Sequence, residues 1–421
     1  MNSTFPAASS TATASLTAVA SLTEAAQQRE AQVLWAEQAV RSRLEIVKRL
    51  RHIISRRSGD FVRAIPRNAA DTLVSEVLPL AEACRFLERR AEALLRPRRM
   101  SSSGRPIWLN GVVFELLREP LGVVLVIGPF NYPLFLPGVQ SVQALVAGNA
   151  VIAKPGRGGS AALQILSECL LEAGLDKRLF RVLGESPDEA GAAIEAGVDK
   201  VFLTGSETTG VEVLSRLARH TIPSVMELSG DDPVFVRPTA DLALVASAIR
   251  FGQRFNDGNT CIAPRRVFAP PFLADRLRQL TTLPVIAAED DDALFQARQS
   301  GYALGATVFG EPVEAASFSR RVRAGVVVIN DIIVPTADPR VPFGGRGRSG
   351  FGVTRGAEGL LEMTALKAIL ARNTKWLPHL EARHPGDADL FASFLQLCHG
   401  GTIRERLRAL FRLMQLGSQR R

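Results

Sequence analysis

From residue 122 to residue 228, short uninterrupted apolar runs alternate with amphipathic ones, and this rhythm constrains the fold of the 421-residue chain more than any other feature. GVVLVI precedes a helical pattern over 137–147, AVIAK one over 160–173, FRVL one over 188–196 and DKVFLT one over 209–219; SVMEL closes the series. Strands that are apolar at every position are buried on both faces. A parallel sheet with crossover helices on its two sides buries them so. The expected fold class is therefore α/β. Ligands of such sheets bind beyond the carboxyl ends of the strands. The polar residues there are Asn131 after the first strand, Lys154 ending the second, Gly205 and Ser206 after the fourth, and Glu227 in the fifth.

The flanking sequence has a different grain. Residues 24–97 repeat apolar residues every three or four positions, the mark of amphipathic helices. RPIWLNGVVFELLREPLG places Asn110–Gly111 between β-rich runs, which predicts a two-residue hairpin and an arm over 105–119. Residues 1–25, rich in Ser, Thr and Ala, lack the basic start and apolar block of an export signal and are expected to form a flexible tail. The most apolar stretch, 122–139, contains three prolines and reads as strand and loop, not as a membrane span. Four widely spaced cysteines oppose a disulfide framework and point to a reducing, cytoplasmic setting. The net charge of +9 is almost all scattered arginine, with no basic stripe interleaved with aromatics, so no nucleic-acid partner is expected.

Taken singly, each candidate has two readings. Cys261, in FNDGNTCIAPRR, fits a nucleophile or a small residue filling a turn. Asn131 fits an oxyanion donor or an Asx-turn before Pro133. Glu227 fits a general base or a strand-end carboxylate in a salt bridge. Lys154 could bond the sugar or phosphate of a nucleotide, or stand exposed. GSETTG (205–210) opens a helix with small residues and free N–H groups, a seat for a pyrophosphate that also recurs by chance. GFGVTRG (350–356) does not complete a dinucleotide fingerprint.

Together these segments resemble the NAD(P)-dependent aldehyde dehydrogenase superfamily over about residues 30–370. GPFNYPL is similar to its oxyanion segment, AGNAVIAKP to its lysine strand and FLTGSETTG to its phosphate turn. MELSG resembles its general-base segment, FNDGNTCIAPRRV its nucleophile loop and VPFGGRGRSGFG its late glycine-rich loop. The resemblance implies a Rossmann-type cofactor domain (26–104 and 120–228), an α/β catalytic domain (229–361) and oligomerisation elements (the β-hairpin arm 105–119 and residues 362–372). A helical extension follows (373–421). It implies NAD or NADP as cofactor and no metal. Lys154, Arg157, Gly205, Ser206 and Gly210 would hold the dinucleotide, with Leu228 and Phe343 beside the nicotinamide. Cys261 would attack an aldehyde, Asn131 and the Cys261 N–H would hold the oxyanion, and Glu227 would activate the water that hydrolyses the thioester. A homodimer or homotetramer is implied.

The chain departs from the family pattern in places. Arg157 stands where the family has an acidic residue on the adenosine ribose, which predicts tolerance of or preference for NADP. The catalytic domain is short, and Leu280 stands where the glutamate gripping the nicotinamide ribose is expected. Ser229 and Asn259 replace a glycine and a glutamine near the site. In TIRERLRALFRLMQLG one face carries Ile403, Leu407, Leu410, Phe411 and Met414 and the other arginines. Such a helix docks on its own protein or a partner subunit, and less often on an anionic membrane. The truncation also leaves open a non-catalytic scaffold; the intact set of Cys261, Glu227 and Asn131 opposes it.

Overall fold

The structure, a computed structural model, describes residues 9–375 and 377–418. The chain separates into two compact units. One holds the residues up to Arg98 together with Leu116–Ala368, the other Arg99–Glu115 with Ile369–Arg421.

The first unit contains the expected parallel sheet. Its strands β1 (Val123–Ile127), β2 (Ala150–Lys154), β3 (Phe180–Val182), β4 (Lys200–Thr204) and β5 (Ser224–Glu227) lie in the order β5-β4-β1-β2-β3. The short strand Gly350–Phe351 runs antiparallel beside β5. Every residue of β1, β2 and β4 is buried, and apart from Lys154, Lys200 and Thr204 at the strand ends all are apolar. The crossover helices Phe135–Ala147, Ser160–Glu172, Pro187–Glu195 and Glu207–Leu217 begin and end within two residues of the periodic runs. Register aligns Ile127 with Lys154 and Thr204 with Glu227, so the carboxyl ends of these strands form one edge.

Three long helices, Ser9–Glu37, Val40–Arg56 and Leu78–Leu95, precede the sheet. Their apolar stripes bury Leu50, Ile54, Leu80 and Leu87. The expected tail differs: residues 9–25 belong to the first helix, while residues 1–8 lie outside the described residues. Alanine favours helix, and the helix continues into residues anchored on the sheet layer, where Gln28 Nε2 donates to Val151 O (3.1 Å) and Trp35 Nε1 to Leu145 O (2.8 Å).

A second sheet in the same unit is wholly parallel. Strands β6 (Asp232–Val236), β7 (Pro264–Ala269), β8 (Val285–Ala287), β9 (Gly305–Phe309) and β10 (Val326–Ile329) run in the order β8-β7-β6-β9-β10. Phe235, Phe268 and Phe318 cluster on one of its faces. The helix Leu242–Arg254 leads from β6 into the cysteine loop.

The arm differs from the tight hairpin read from its sequence. Ile107–Leu109 form a 3-10 turn, and the strand begins at Val112. Asn110 has φ −56° and ψ 137°, and Gly111 has φ +85°. That is type II geometry; the two-residue hairpin turn of type I′ needs positive φ at both residues. Strands Arg98–Arg99, Val112–Pro120 and Thr364–Arg372 form a three-stranded sheet.

In the second unit, helices Asp387–His399 and Ile403–Ser418 pack on each other and bury Ala409. Ile403, Leu407, Leu410, Phe411 and Met414, on the face expected to dock, are exposed. Among the described residues no helix is long and apolar enough to cross a membrane.

Candidate active site

The loop that carries the cysteine is written into its composition. Asn256 (φ 53°), Asp257 (φ 51°) and Gly258 (φ 70°) are consecutively left-handed. Glycine, asparagine and aspartate enter that conformation at least cost. The turn brings the loop back onto the segment after β1. There Asn256 Nδ2 donates to Asn131 O (2.9 Å), and Asn131 Nδ2 donates to Asn259 O (2.5 Å).

Cys261 Sγ then lies 3.8 Å from Glu227 Oε1, within hydrogen-bonding reach for sulfur. Glu227 ends β5 and is 1% exposed. Its other oxygen receives only long hydrogen bonds, from Thr204 Oγ1 (3.4 Å) and Thr354 Oγ1 (3.5 Å). Burial pushes the Glu227 carboxyl above its ordinary range, opposed first by the Arg355 guanidinium. Burial and the charges of Glu227 and Asp232 push the Cys261 thiol well up, opposed by Arg355 and by the Ile262 N–H. Cys84 and Cys169 contrast with it: burial raises them to about 12 and about 11, and neither lines the cavity beside Cys261.

Both groups open onto a cavity of about 360 Å³. Its walls are mostly apolar, with Phe135, Leu136, Phe251, Phe255, Ile333 and Phe343 among them. The polar groups are few: Tyr132, whose hydroxyl is 2.8 Å from Thr260 Oγ1, and the side chains of Asp71, Glu227, Cys261 and Arg355 stand out. Two wall residues have strained backbones. Ile333, β-branched, has φ 57°, and Arg355 has φ 62° and ψ 174°, a region otherwise reserved for glycine. Each such residue costs about 1–3 kcal/mol and persists where the surroundings over-determine it.

The other expected residues fall into place unevenly. Asn131 does not line the cavity: its amide is taken by Asn259 O, and its own carbonyl is held by Arg67 (2.7 Å) and Asn256. Phe343 is buried in the cavity wall. Leu228 is buried outside that wall, its N–H donating to Ser349 O (3.1 Å). A Cβ at Gly210 would come within 2.8 Å of Leu228 Cδ2, so any larger residue there must displace the Leu228 side chain. Gly205 N donates to Glu227 O (3.0 Å), and Ser206 caps the helix by accepting from Thr209 N (3.1 Å). In that first turn the Glu207 carboxyl, bonded by Arg348 and Tyr302, is held down to about 2. Lys154 is buried, which lowers its pKa, and its ammonium has no hydrogen-bond partner among the described residues. Arg157 is exposed, 5.9 Å over the Phe130 ring. Leu280 packs in the second sheet's core near Leu273 and Val285. Among the described residues no cluster of His, Cys, Asp and Glu could hold a metal ion.

Sequence reasoning missed Thr204, Thr354 and Arg355. The last two lie in GFGVTRG, which as a sequence only fails a nucleotide fingerprint, and one arginine among so many carries no signal.

The profile of the Aldehyde dehydrogenase family matches residues 6–283 and 281–369. The chain belongs to that family. The two matched stretches meet at 281–283, where the sequence suggests missing material. Among curated relatives, the 4,4'-diapolycopene aldehyde oxidase of Methylomonas sp is 26% identical across 88% of this chain and 86% of that protein. Human aldehyde dehydrogenase family 3 member B1 is 39% identical, across 38% of this chain and 34% of that protein. The NAD-dependent aldehyde dehydrogenase of Sinorhizobium meliloti superposes with a TM-score of 0.78, at 21% identity, over 86% of this chain and 89% of that one.

Proposed function

We propose that this family member oxidises an apolar aldehyde to its carboxylic acid, with Cys261 as nucleophile, Glu227 as base and NAD or NADP as cofactor. The observation that carries this is the thiol–carboxylate contact of 3.8 Å opening onto an apolar cavity. Glu227 takes the Sγ proton, and the thiolate adds to the aldehyde carbon to give a thiohemiacetal. The developing oxyanion meets the Cys261 N–H, which makes no hydrogen bond among the described residues. Asn131 joins it once its amide exchanges Asn259 O for the oxyanion. A bound nicotinamide supplies the hydride acceptor. Glu227 passes the Sγ proton to solvent, then takes a proton from the water that opens the thioester and returns it to the departing sulfur, releasing the acid and the thiol.

The residues present fit a dinucleotide. The Lys154 side chain is mostly buried, and its ammonium, without a hydrogen-bond partner among the described residues, suits ribose hydroxyls or a phosphate. Gly205, Ser206 and Gly210 supply the start of a helix for a pyrophosphate. Leu228 and Phe343 would flank the nicotinamide. Arg157, exposed, would accept a 2′-phosphate as readily as the family's usual acid would repel one. Exposed Leu366, Ile369 and Leu370 on the strand Thr364–Arg372 support self-association into a homodimer or homotetramer, which we place in the cytoplasm.

The test is turnover. The purified chain is incubated with aliphatic and aromatic aldehydes and with NAD or NADP, and reduced nicotinamide is followed by absorbance. Turnover rising with the apolar character of the aldehyde is expected. No turnover with any aldehyde and either cofactor would overturn the proposal in favour of a scaffold.

A further inference from the structure

One charged group in the cavity wall has no part in the chemistry above. Arg355 is 5% exposed and lines the same cavity as Cys261 and Glu227. One terminal nitrogen donates to Thr336 O (2.7 Å), and the buried Nε has no partner. The guanidinium lies 4.3 Å over the Phe343 ring and 5.6 Å from that of Phe135. Among the described residues no carboxylate forms a salt bridge with it. A buried cation without a counter-ion is costly, and so is a backbone held at φ 62° to present it. Both features persist together only if something across the cavity repays them.

The groups that act on this charge are Glu227, Cys261 and Tyr132. Four titratable groups besides Arg355 face the thiol or the cavity. Glu227 comes from β5, and Asp232 from β6; burial pushes the Asp232 carboxyl well up, and it accepts the Gly305 N–H. Tyr132 comes from the loop after β1, and burial pushes its phenol up. Asp71 stands in the wall from the helical segment before the sheet.

We propose that Arg355 is the counter-ion of the Cys261–Glu227 pair. The two acids hold one proton between sulfur and carboxylate and carry a single negative charge, which the guanidinium balances. When the Sγ proton passes to Glu227 Oε1, the electron pair stays on sulfur and the net charge of the cavity does not change. The thiolate thus forms without creating charge in an apolar space. Remove the cation, and the pair binds a second proton and the sulfur is left as a thiol. The proposal rests on Cys261 as nucleophile and makes Arg355 a positioning residue acting through it.

The full chain is treated with iodoacetamide across a pH series, and alkylation of the peptide carrying Cys261 is followed by mass spectrometry. Arg355→Gln can still donate to Thr336 O but is uncharged; Arg355→Lys keeps the charge. The Gln variant is expected to shift the alkylation midpoint up by about one pH unit or more, and so to slow labelling at neutral pH about tenfold. The Lys variant should stay near the unaltered chain. A Gln variant with the unaltered midpoint, or a Lys variant shifted as far as Gln, overturns the proposal. If the variants do not fold, the unaltered chain decides. Its iodoacetate-to-iodoacetamide rate ratio at Cys261 should exceed that of free cysteine about tenfold, because the cation attracts the anionic reagent; an equal or lower ratio overturns the proposal. Alkylation needs no aldehyde or nucleotide, so failure of aldehyde oxidation is read separately.

Discussion

Glu76 and Glu227 are both closed off from solvent, at 0% and 1% exposure, yet they are held in opposite ways. Glu76 accepts the backbone N–H groups of Leu134 (3.1 Å) and Phe135 (2.7 Å) at the start of a helix, and Arg67 approaches to 3.4 Å. Arg67 in turn donates to Asn131 O (2.7 Å), so this carboxylate anchors the whole segment after β1. Glu227 has two hydroxyls at 3.4 and 3.5 Å and a thiol at 3.8 Å. A carboxylate met by short backbone donors is committed to the fold. One met by long side-chain contacts can give and take a proton at little structural cost. The difference lies in the donors, since burial is the same.

The comparison breaks first at sulfur. Cys261→Ala should abolish aldehyde oxidation, by about four orders of magnitude or more, measured as turnover; oxidation surviving the change would remove Glu227 from its assigned task as well. Next comes the structural carboxylate. Burial raises Glu76 from 4.5 to about 7 in the folded chain, so between those values the folded state binds the proton that the unfolded state has lost. Its stabilising protonation is complete below about pH 4.5 and is lost as pH rises through about 7, a change of about 3 kcal/mol at most. Urea denaturation should therefore show stability falling over that window, and Glu76→Gln should flatten the fall without altering the midpoint of Cys261 alkylation.

Glu227→Gln sharpens the other side. It should slow both attack by Cys261 and release of the acid, lowering turnover about 10²-fold or more, measured in single-turnover and steady-state assays. An unchanged rate of release would make Glu227 as structural as Glu76. The smallest effect is expected at the exposed edge: Arg157→Glu should shift the NADP-to-NAD ratio of kcat/KM about tenfold toward NAD. No shift would place Arg157 outside the nucleotide's reach.

Much of the fold was legible because periodicity is a local property. The four crossover helices and the strands ending in Lys154, Thr204 and Glu227 follow from runs readable a dozen residues at a time. The left-handed turn of Asn256–Gly258 was implicit in the residue types. The arm was less legible, because Asn–Gly serves more than one turn type and only the ψ of Asn110 decides between them. Composition misjudged residues 9–25, where alanine's helical preference and continuity with an anchored helix outweigh the polar bias.

By itself, then, the sequence determined a parallel α/β sheet, the family and the two residues, Cys261 and Glu227, that meet in the cavity. Only the tertiary structure decided that the Asn131 amide is tied to Asn259, that Thr354 touches Glu227, and that Arg355 supplies the cavity's buried cation. The reason is physical. Hydrophobic pattern is encoded by neighbours, whereas these contacts join residues more than 120 positions apart, and a polar side chain's partner is set by whichever donors the packing leaves within reach.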